Sequence, residues 1–133
     1  MRDLVLDASV VIKWFVSEQR GSPEAHKLLN DYQAGQFSVV VPSLFFLEVL
    51  NVAGRGWQWD GEAVIQLAEA LGNLSFEVAE PALLTVAHWV SLGLTAYDAA
   101  YVALAEERGL LLVTDDDKIF EVAPAISRAL VQK

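Results

Sequence analysis

Residues 3–15 read DLVLDASVVIKWF, and this stretch does most to decide the fold. Residues 3–6 are short and mostly apolar, which is typical of a buried β-strand. The apolar run of residues 10–15 predicts that a helix follows. Asp7 stands between them, and an acid is costly to desolvate unless something positive compensates it. The stretch therefore predicts a strand that delivers a carboxylate to the start of a helix.

The same alternation of strand and helix continues along the chain. Buried strands are predicted at residues 38–41 and 110–114, and the alternating pattern of residues 74–78 predicts a further strand. Further helices are predicted at residues 22–33, 43–53, 61–71, 81–89, 95–109 and 125–130. Within them, Ser22 is expected to be the N-cap before Pro23, and Asp60 the N-cap of its own helix. Strands that alternate with helices predict a three-layer α/β/α fold with a mostly parallel central sheet.

Composition narrows the class of protein further. A length of 133 residues suits a single domain over residues 1–133, and a hydrophobic content of 54% predicts a filled core with apolar surface left for a partner. The chain has no cysteine, which excludes disulfides and thiolate metal sites. Its sequence has neither a long apolar run nor a signal peptide, so we expect a cytoplasmic protein without a membrane span.

The chain is strongly acidic, with a formal net charge of -9. Broad binding of nucleic acid through a basic surface is therefore disfavoured, because phosphate contacts need Lys and Arg. A bound metal would offset part of this acidity. The charge also favours a basic protein as a partner.

Four acids interrupt apolar segments in which an acid is locally out of place. They are Asp7, Glu48, Asp98 and Asp116. Asp7 and Asp116 follow predicted strands, and ligands of open α/β sheets bind at that edge. Oxygen ligands without His or Cys beside them favour Mg²⁺ or Mn²⁺ over Zn²⁺. If the four converge, they predict a site for a hard divalent cation.

Purely structural interpretations compete for three of these positions. Asp7 is also suited to N-cap the helix that follows it. Thr95 and Asp98 have the spacing of a capping box, with Asp in place of Glu. Residues 115–117 are three consecutive Asp residues, a pattern typical of a solvated turn, and the sequence leaves open which of Asp115, Asp116 or Asp117 is the fourth site acid.

Glu48 has the weakest structural alternative of the four. Bulky apolar residues surround it, while Asn51 and Arg55 share its side of the predicted helix at i+3 and i+7. A polar stripe on an otherwise apolar helix favours a functional site.

Four segments together carry a resemblance to a known family. They are DASVVIKWF at 7–15, EVLN at 48–51, TAYDAAYVALA at 95–105 and VTDD at 113–116. In this order and spacing, they resemble the motifs of the PIN-domain family, and are most similar to VapC-like toxins of toxin–antitoxin pairs. The resemblance spans nearly the whole chain.

The resemblance implies an Mg²⁺- or Mn²⁺-dependent endoribonuclease that hydrolyses RNA phosphodiester bonds. It places the catalytic and metal-binding acids at Asp7, Glu48, Asp98 and Asp116, with Ser9, Asn51 and Thr114 in support. It also implies a small antitoxin whose basic tail lies in the acidic groove, and a homodimer. A catalytically inactive PIN-like binding or assembly module is the alternative, and four intact acids count against it.

Basic and aromatic residues near these positions are candidates for RNA contacts. Lys13, Arg55 and Lys118 are possible phosphate ligands, with surface salt bridges as the alternative. Trp57 and Trp59 have the chemistry to stack on bases, although Trp59 is also placed to form a hydrophobic staple before Asp60.

Overall fold

The computed structural model describes residues 2–131 and contains one five-stranded sheet. The strands are β1 (Arg2–Leu6), β2 (Phe37–Val41), β3 (Glu77–Val78), β4 (Leu111–Thr114) and β5 (Ser127–Ala129). Their order is β3-β2-β1-β4-β5, and every neighbouring pair is parallel. The predicted α/β class and the parallel sheet are both confirmed.

Helices flank this sheet and complete the three layers. They are α1 (Ala8–Val11), α2 (Ser22–Gln33), α3 (Leu44–Asn51), α4 (Gly61–Gly72), α5 (Leu83–Ser91), α6 (Ala96–Arg108) and α7 (Asp117–Val122). A 3₁₀ turn at Ile12–Phe15 follows α1, and a π-helical turn at Val52–Gly56 follows α3. Within residues 2–131, none of the helices has both the length and the apolar character needed to span a membrane.

The core lies around the central strand, β1, and its neighbours β2 and β4. Val5 and Leu6 in β1 and Val113 in β4 are completely buried, as expected for strands covered on both faces. Helix α6 is buried throughout residues 99–105. Leu6 pairs with Val113, and the backbone N–H of Asp7 donates to the Val113 carbonyl at 3.2 Å. The carboxyl ends of β1 and β4 are therefore held side by side.

Residues 125–130 do not form the predicted helix. Ser127–Ala129 instead form β5, which pairs with β4 along its outer edge. The open edge of β4 supplies backbone donors and acceptors that need partners, and this tertiary requirement outweighs the weak local pattern. Similarly, the strand predicted at residues 74–78 is reduced to Glu77–Val78.

The start of α2 also differs from the prediction. Gly21 is the N-cap, with a left-handed φ of 86°, and Ser22 is already the first residue of the helix. The Ser22 hydroxyl is buried and has no hydrogen-bond partner among the described residues. By contrast, the predicted N-cap at Asp60 is confirmed, because its carboxylate accepts from the Ala63 N–H at 2.8 Å.

Candidate active site

A recess at the carboxyl edge of the sheet collects all four acids that the sequence singled out. Its volume is about 300 Å³. We call it the acid recess, and its lining residues are Asp7, Ala8, Ser9, Glu48, Asn51, Val52, Asp98, Asp115 and Asp116. Asp7 and Asp116 lie close together because they follow the paired strands β1 and β4. Glu48 in α3 and Asp98 in α6 lie at the same edge of the sheet.

Asp7, Thr114 and Asp116 form what we call the strand half of this recess. The buried Asp7 carboxylate accepts from the Ser9 N–H at 2.8 Å and from the Thr114 hydroxyl at 2.7 Å. The same hydroxyl accepts from the Asp116 N–H at 3.1 Å, and Asp116 Oδ1 accepts from the Ile119 N–H at 3.1 Å. Asp7 and Asp116 thus cap α1 and α7 and also line the recess, so their capping role does not keep them out of the site.

Glu48, Asp98 and Tyr101 form the helix half. The Tyr101 hydroxyl donates to Glu48 Oε1 at 2.7 Å. Asp98 lies in the first turn of α6, where its backbone N–H donates to the Thr95 hydroxyl at 3.1 Å. Both carboxylates are only partly buried. The helix half is therefore held by fewer hydrogen bonds than the strand half.

Burial and the charges of neighbouring acids raise the pKa values of Asp7, Glu48 and Asp98. Burial raises the pKa of Asp98 to about 6, and the charges of Asp116 and Asp7 add to that rise. Burial also raises the pKa of Glu48, with further contributions from Asp7 and Asp98. The pKa of Asp7 is raised by burial, against hydrogen bonds from Ser9 and Thr114 that lower it. Such mutual repulsion is the condition that a bound cation would relieve.

The chemistry of the recess fits a hard divalent cation. Its charged ligands are all carboxylates, and the buried Ser9 hydroxyl on its wall has no hydrogen-bond partner among the described residues. Within residues 2–131, no three Asp, Glu, His or Cys side chains are close enough together to hold one ion directly. Mg²⁺ usually keeps several waters and binds through one or two carboxylates. Carboxylates of the acid recess would hold such an ion together with water molecules.

The three consecutive Asp residues have different environments. Asp115 reaches the acid recess, but its Oδ1 accepts from the N–H groups of Leu130 and Val131, at 3.1 and 3.2 Å. Its Oδ2 lies 3.4 Å from the Lys13 ammonium. Asp117 begins α7, is exposed and is not part of the lining. This geometry favours Asp116 as the fourth acid of the site.

The candidate phosphate ligands lie outside the acid recess. Lys13 pairs with Asp115, and Lys118 lies 4.0 Å from Glu121. Arg55 is exposed on the π-helical turn. Of the supporting residues, Asn51 and Ser9 line the recess, and Thr114 contacts Asp7 from behind it.

Trp57 and Trp59 pack against each other with ring centroids 6.0 Å apart. Both are partly buried against the core, and together with residues 16–19 they line a separate hollow. Their packing role is therefore visible, while base stacking remains a prediction.

Tyr101 is the residue of the site that sequence reasoning missed. It is fully buried, and its contact with Glu48 spans 53 positions of the chain. Burial raises its phenol pKa well above the ordinary value, so the hydroxyl remains a donor. The available signal was its position three residues after Asp98, which places both on one side of α6.

Comparison with known proteins identifies the family to which the chain belongs. The family model of the PIN domain matches residues 4–124, so the chain belongs to the PIN domain family. Among curated proteins, Ribonuclease VapC3 of Pyrobaculum aerophilum is 37% identical over 135 residues, which cover 92% of this chain and 96% of the relative. The family resemblance seen in the sequence motifs is confirmed.

Solved structures share the fold of this chain. The crystal structure of PAE2754 from Pyrobaculum aerophilum has a TM-score of 0.68 and 25% identity, over 98% of this chain and 92% of that one. A toxin–antitoxin complex from Klebsiella pneumoniae has a TM-score of 0.62 and 22% identity, over 98% of this chain and 100% of that one. The second likeness supports the fold.

Proposed function

We propose that this protein is an endoribonuclease that uses Mg²⁺ or Mn²⁺ to hydrolyse RNA phosphodiester bonds. The observation that carries the proposal is the convergence of four distant acids in one recess. The chain's membership of the PIN domain family and its 37% identity to a ribonuclease support this reaction class. The acidity of the recess is compatible with this activity because a bound cation would offset the charge of the carboxylates that face the RNA backbone.

Asp7, Glu48, Asp98 and Asp116 are proposed as the catalytic and metal-holding acids. When bound, a divalent ion would supply an activated water and offset charge on the phosphoryl and leaving oxygens. The Thr114 hydroxyl orients Asp7 and also binds the backbone of Asp116. Tyr101 orients Glu48 through its hydroxyl. Ser9 and Asn51 add polar groups to the wall where the RNA phosphate would lie.

We further propose that the protein is the toxin of a toxin–antitoxin pair in the cytoplasm. One structural neighbour is a toxin–antitoxin complex, and none of the described side chains that line the acid recess is cationic. An antitoxin with a basic tail would complement this surface and block access to it. A homodimer is proposed from the exposed apolar side chains of Leu83 and Leu84 on α5.

An inactive binding or assembly module remains the second candidate. It is favoured by one observation, that no three ligands among residues 2–131 are already gathered around one point. The two candidates differ in a single measurable property, which is RNA cleavage that depends on added metal.

The test is cleavage of a labelled RNA with Mg²⁺, with Mn²⁺ and with EDTA, by the wild type and by Asp98→Asn. We expect EDTA to stop cleavage and Asp98→Asn to slow it by roughly 10²-fold or more, because even an outer partner of a metal ligand contributes about 10–100-fold. Glu69→Gln, an exposed acid on α4, is the matched control and should cut normally. Cleavage that survives both EDTA and Asp98→Asn would remove the metal-dependent mechanism.

A further inference from the structure

A second recess lies directly beside the acid recess and shares two residues with it. We call it the side recess, and its lining residues are Leu44, Leu47, Glu48, Asn51 and Tyr97. Glu48 and Asn51 belong to both recesses, so the two recesses adjoin at these side chains. Its volume of about 440 Å³ falls in the range of small-ligand sites, roughly 300–1,000 Å³.

Exposed apolar side chains form the outer wall of the side recess. Tyr97 is 63% exposed and Leu47 is 71% exposed, although both are large. Tyr97 directly precedes Asp98 in the first turn of α6, so its ring is carried by the same rigid element as a site acid. Helix-borne positions are more precisely placed than positions in loops. The backbone of Tyr97 is thus held next to the acid recess, and its ring is accessible.

Charge limits how RNA is held at this edge. None of the described side chains that line the two recesses is cationic, and the nearby Lys13 is paired with Asp115. Contacts from Lys and Arg to phosphates, the usual source of affinity, are therefore missing from the described walls of this site. Stacking of bases on aromatic rings is the sequence-tolerant alternative for single strands. Among the described residues that line the two recesses, Tyr97 alone has an aromatic ring.

We propose that the side recess is a nucleobase subsite, in which Tyr97 stacks on the base next to the scissile phosphate of single-stranded RNA. The proposal rests on the proposed function for the position of that phosphate. Asn51, at the junction of the two recesses, offers both a donor and an acceptor to the edge of the stacked base. Leu44 and Leu47 cover the base from the side of α3. Tyr97 is then a substrate-positioning residue.

The test compares Tyr97→Ala, Tyr97→Phe and the control Ile65→Ala, which truncates a 62% exposed side chain on α4. A labelled single-stranded RNA is cut with Mg²⁺ to give kcat and KM, and its affinity is measured separately in EDTA by fluorescence anisotropy. Tyr97→Ala should raise KM and Kd by about 5- to 150-fold, the range of one base–aromatic stack. Tyr97→Phe keeps the ring and should match the wild type, as should Ile65→Ala.

Abasic substrates locate the stacked nucleotide. Removing the base beside the cleaved bond should reproduce the penalty of Tyr97→Ala in the wild type and add no further penalty in that variant. A Tyr97→Ala variant within twofold of the wild type, or one equally sensitive to every abasic position, would overturn the subsite. The same holds if Tyr97→Ala changes only the oligomeric mass, which would assign the surface to a protein partner.

The two proposals fail in different ways. A wild type that binds RNA through Tyr97 in EDTA but cuts nothing with Mg²⁺ or Mn²⁺ retains the subsite and loses the nuclease. A wild type that cuts RNA without any effect of Tyr97→Ala retains the nuclease and loses the subsite. A wild type that neither binds nor cuts single-stranded RNA overturns both.

Discussion

The strand half and the helix half of the acid recess are built in different ways. In the strand half, both oxygens of Asp7 accept hydrogen bonds, and Asp116 is held by its own helix cap. In the helix half, Glu48 accepts one bond from Tyr101, and Asp98 remains partly exposed with a pKa of about 6. Hydrogen bonds with the backbone hold the strand half in place. The carboxylates of the helix half have fewer hydrogen bonds and can move more readily when a ligand binds.

This difference implies that the strand half contributes chiefly to folding and the helix half chiefly to function. Groups that cap helices and close buried hydrogen-bond networks contribute to the stability of the chain. Groups that sit on helices with few partners cost little to move, so a bound ion can draw them inward. We therefore expect variants of the strand half to affect folding, and variants of the helix half to affect chiefly binding and catalysis.

Thr114→Val is the variant with the largest expected effect on stability. Valine fits the same space but leaves the Asp7 carboxylate and the Asp116 N–H without their shared partner. Since each buried unsatisfied group costs about 1–3 kcal/mol, we expect a loss of about 2–4 kcal/mol in the free energy of unfolding. Urea denaturation measures it. A loss no larger than that of Tyr101→Phe would break the distinction between the two halves.

Magnesium is expected to act mainly on the helix half. An ion that binds only the folded state adds about 2.7 kcal/mol at one hundred times its Kd, which corresponds to a rise in melting temperature of roughly 10 °C. Thermal melts with and without Mg²⁺ measure the rise. It should shrink strongly in Asp98→Asn and stay unchanged in Glu69→Gln. Equal rises in both variants would show that the ion binds elsewhere.

The pH dependence of stability should reflect the burial of Asp98 and its repulsion by the other carboxylates of the acid recess. The pKa of Asp98 is raised from 3.8 to about 6 on folding, so the folded state binds this proton more tightly than the unfolded chain. Its contribution to stability is complete below pH 3.8 and is lost as pH rises through about 6. In EDTA, urea denaturation across this range should therefore show a smaller decline for Asp98→Asn than for the wild type. If the free energy of unfolding declined equally with pH in both proteins, the raised pKa of Asp98 would be contradicted.

Tyr101→Phe is expected to have the smallest effect on stability, about 1 kcal/mol or less, because water can replace the lost hydroxyl beside the partly exposed Glu48. Its effect on cleavage should be larger than its effect on folding, since the freed carboxylate is no longer oriented. Cleavage rates and urea denaturation on the same sample give both values. A large loss of stability with normal cleavage would place Tyr101 in the core alone.

Much of the fold followed from local patterns, because the central strands are apolar on both faces and the helices carry clear end signals. Gly109, in the left-handed conformation with φ of 65°, ends α6 as expected. The last strand did not follow, since Ser127, Arg128 and Ala129 carry no strand pattern of their own. Their conformation is imposed by pairing with β4, which the local sequence does not encode.

The candidate site, like the fold, could be predicted wherever the signal was local in the sequence. An acid within an apolar segment is a local signal, and it identified Asp7, Glu48, Asp98 and Asp116, four of the five acids that line the acid recess. The choice among residues 115–117 was not local, because it depends on Leu130 and Val131 binding Asp115 from 15 and 16 residues away. Tyr101 escaped notice because buried tyrosines are ordinary core residues, and its importance lies in a partner on another helix.

The sheet itself limits how this protein can assemble. Its outer strands, β3 and β5, contain only two and three residues, so each border presents little free backbone for another chain to extend. Short borders of this kind discourage strand-by-strand growth into fibrils. A partner must therefore bind through side chains, either on the helical layers or at the carboxyl edge of the sheet, and not by extending the sheet.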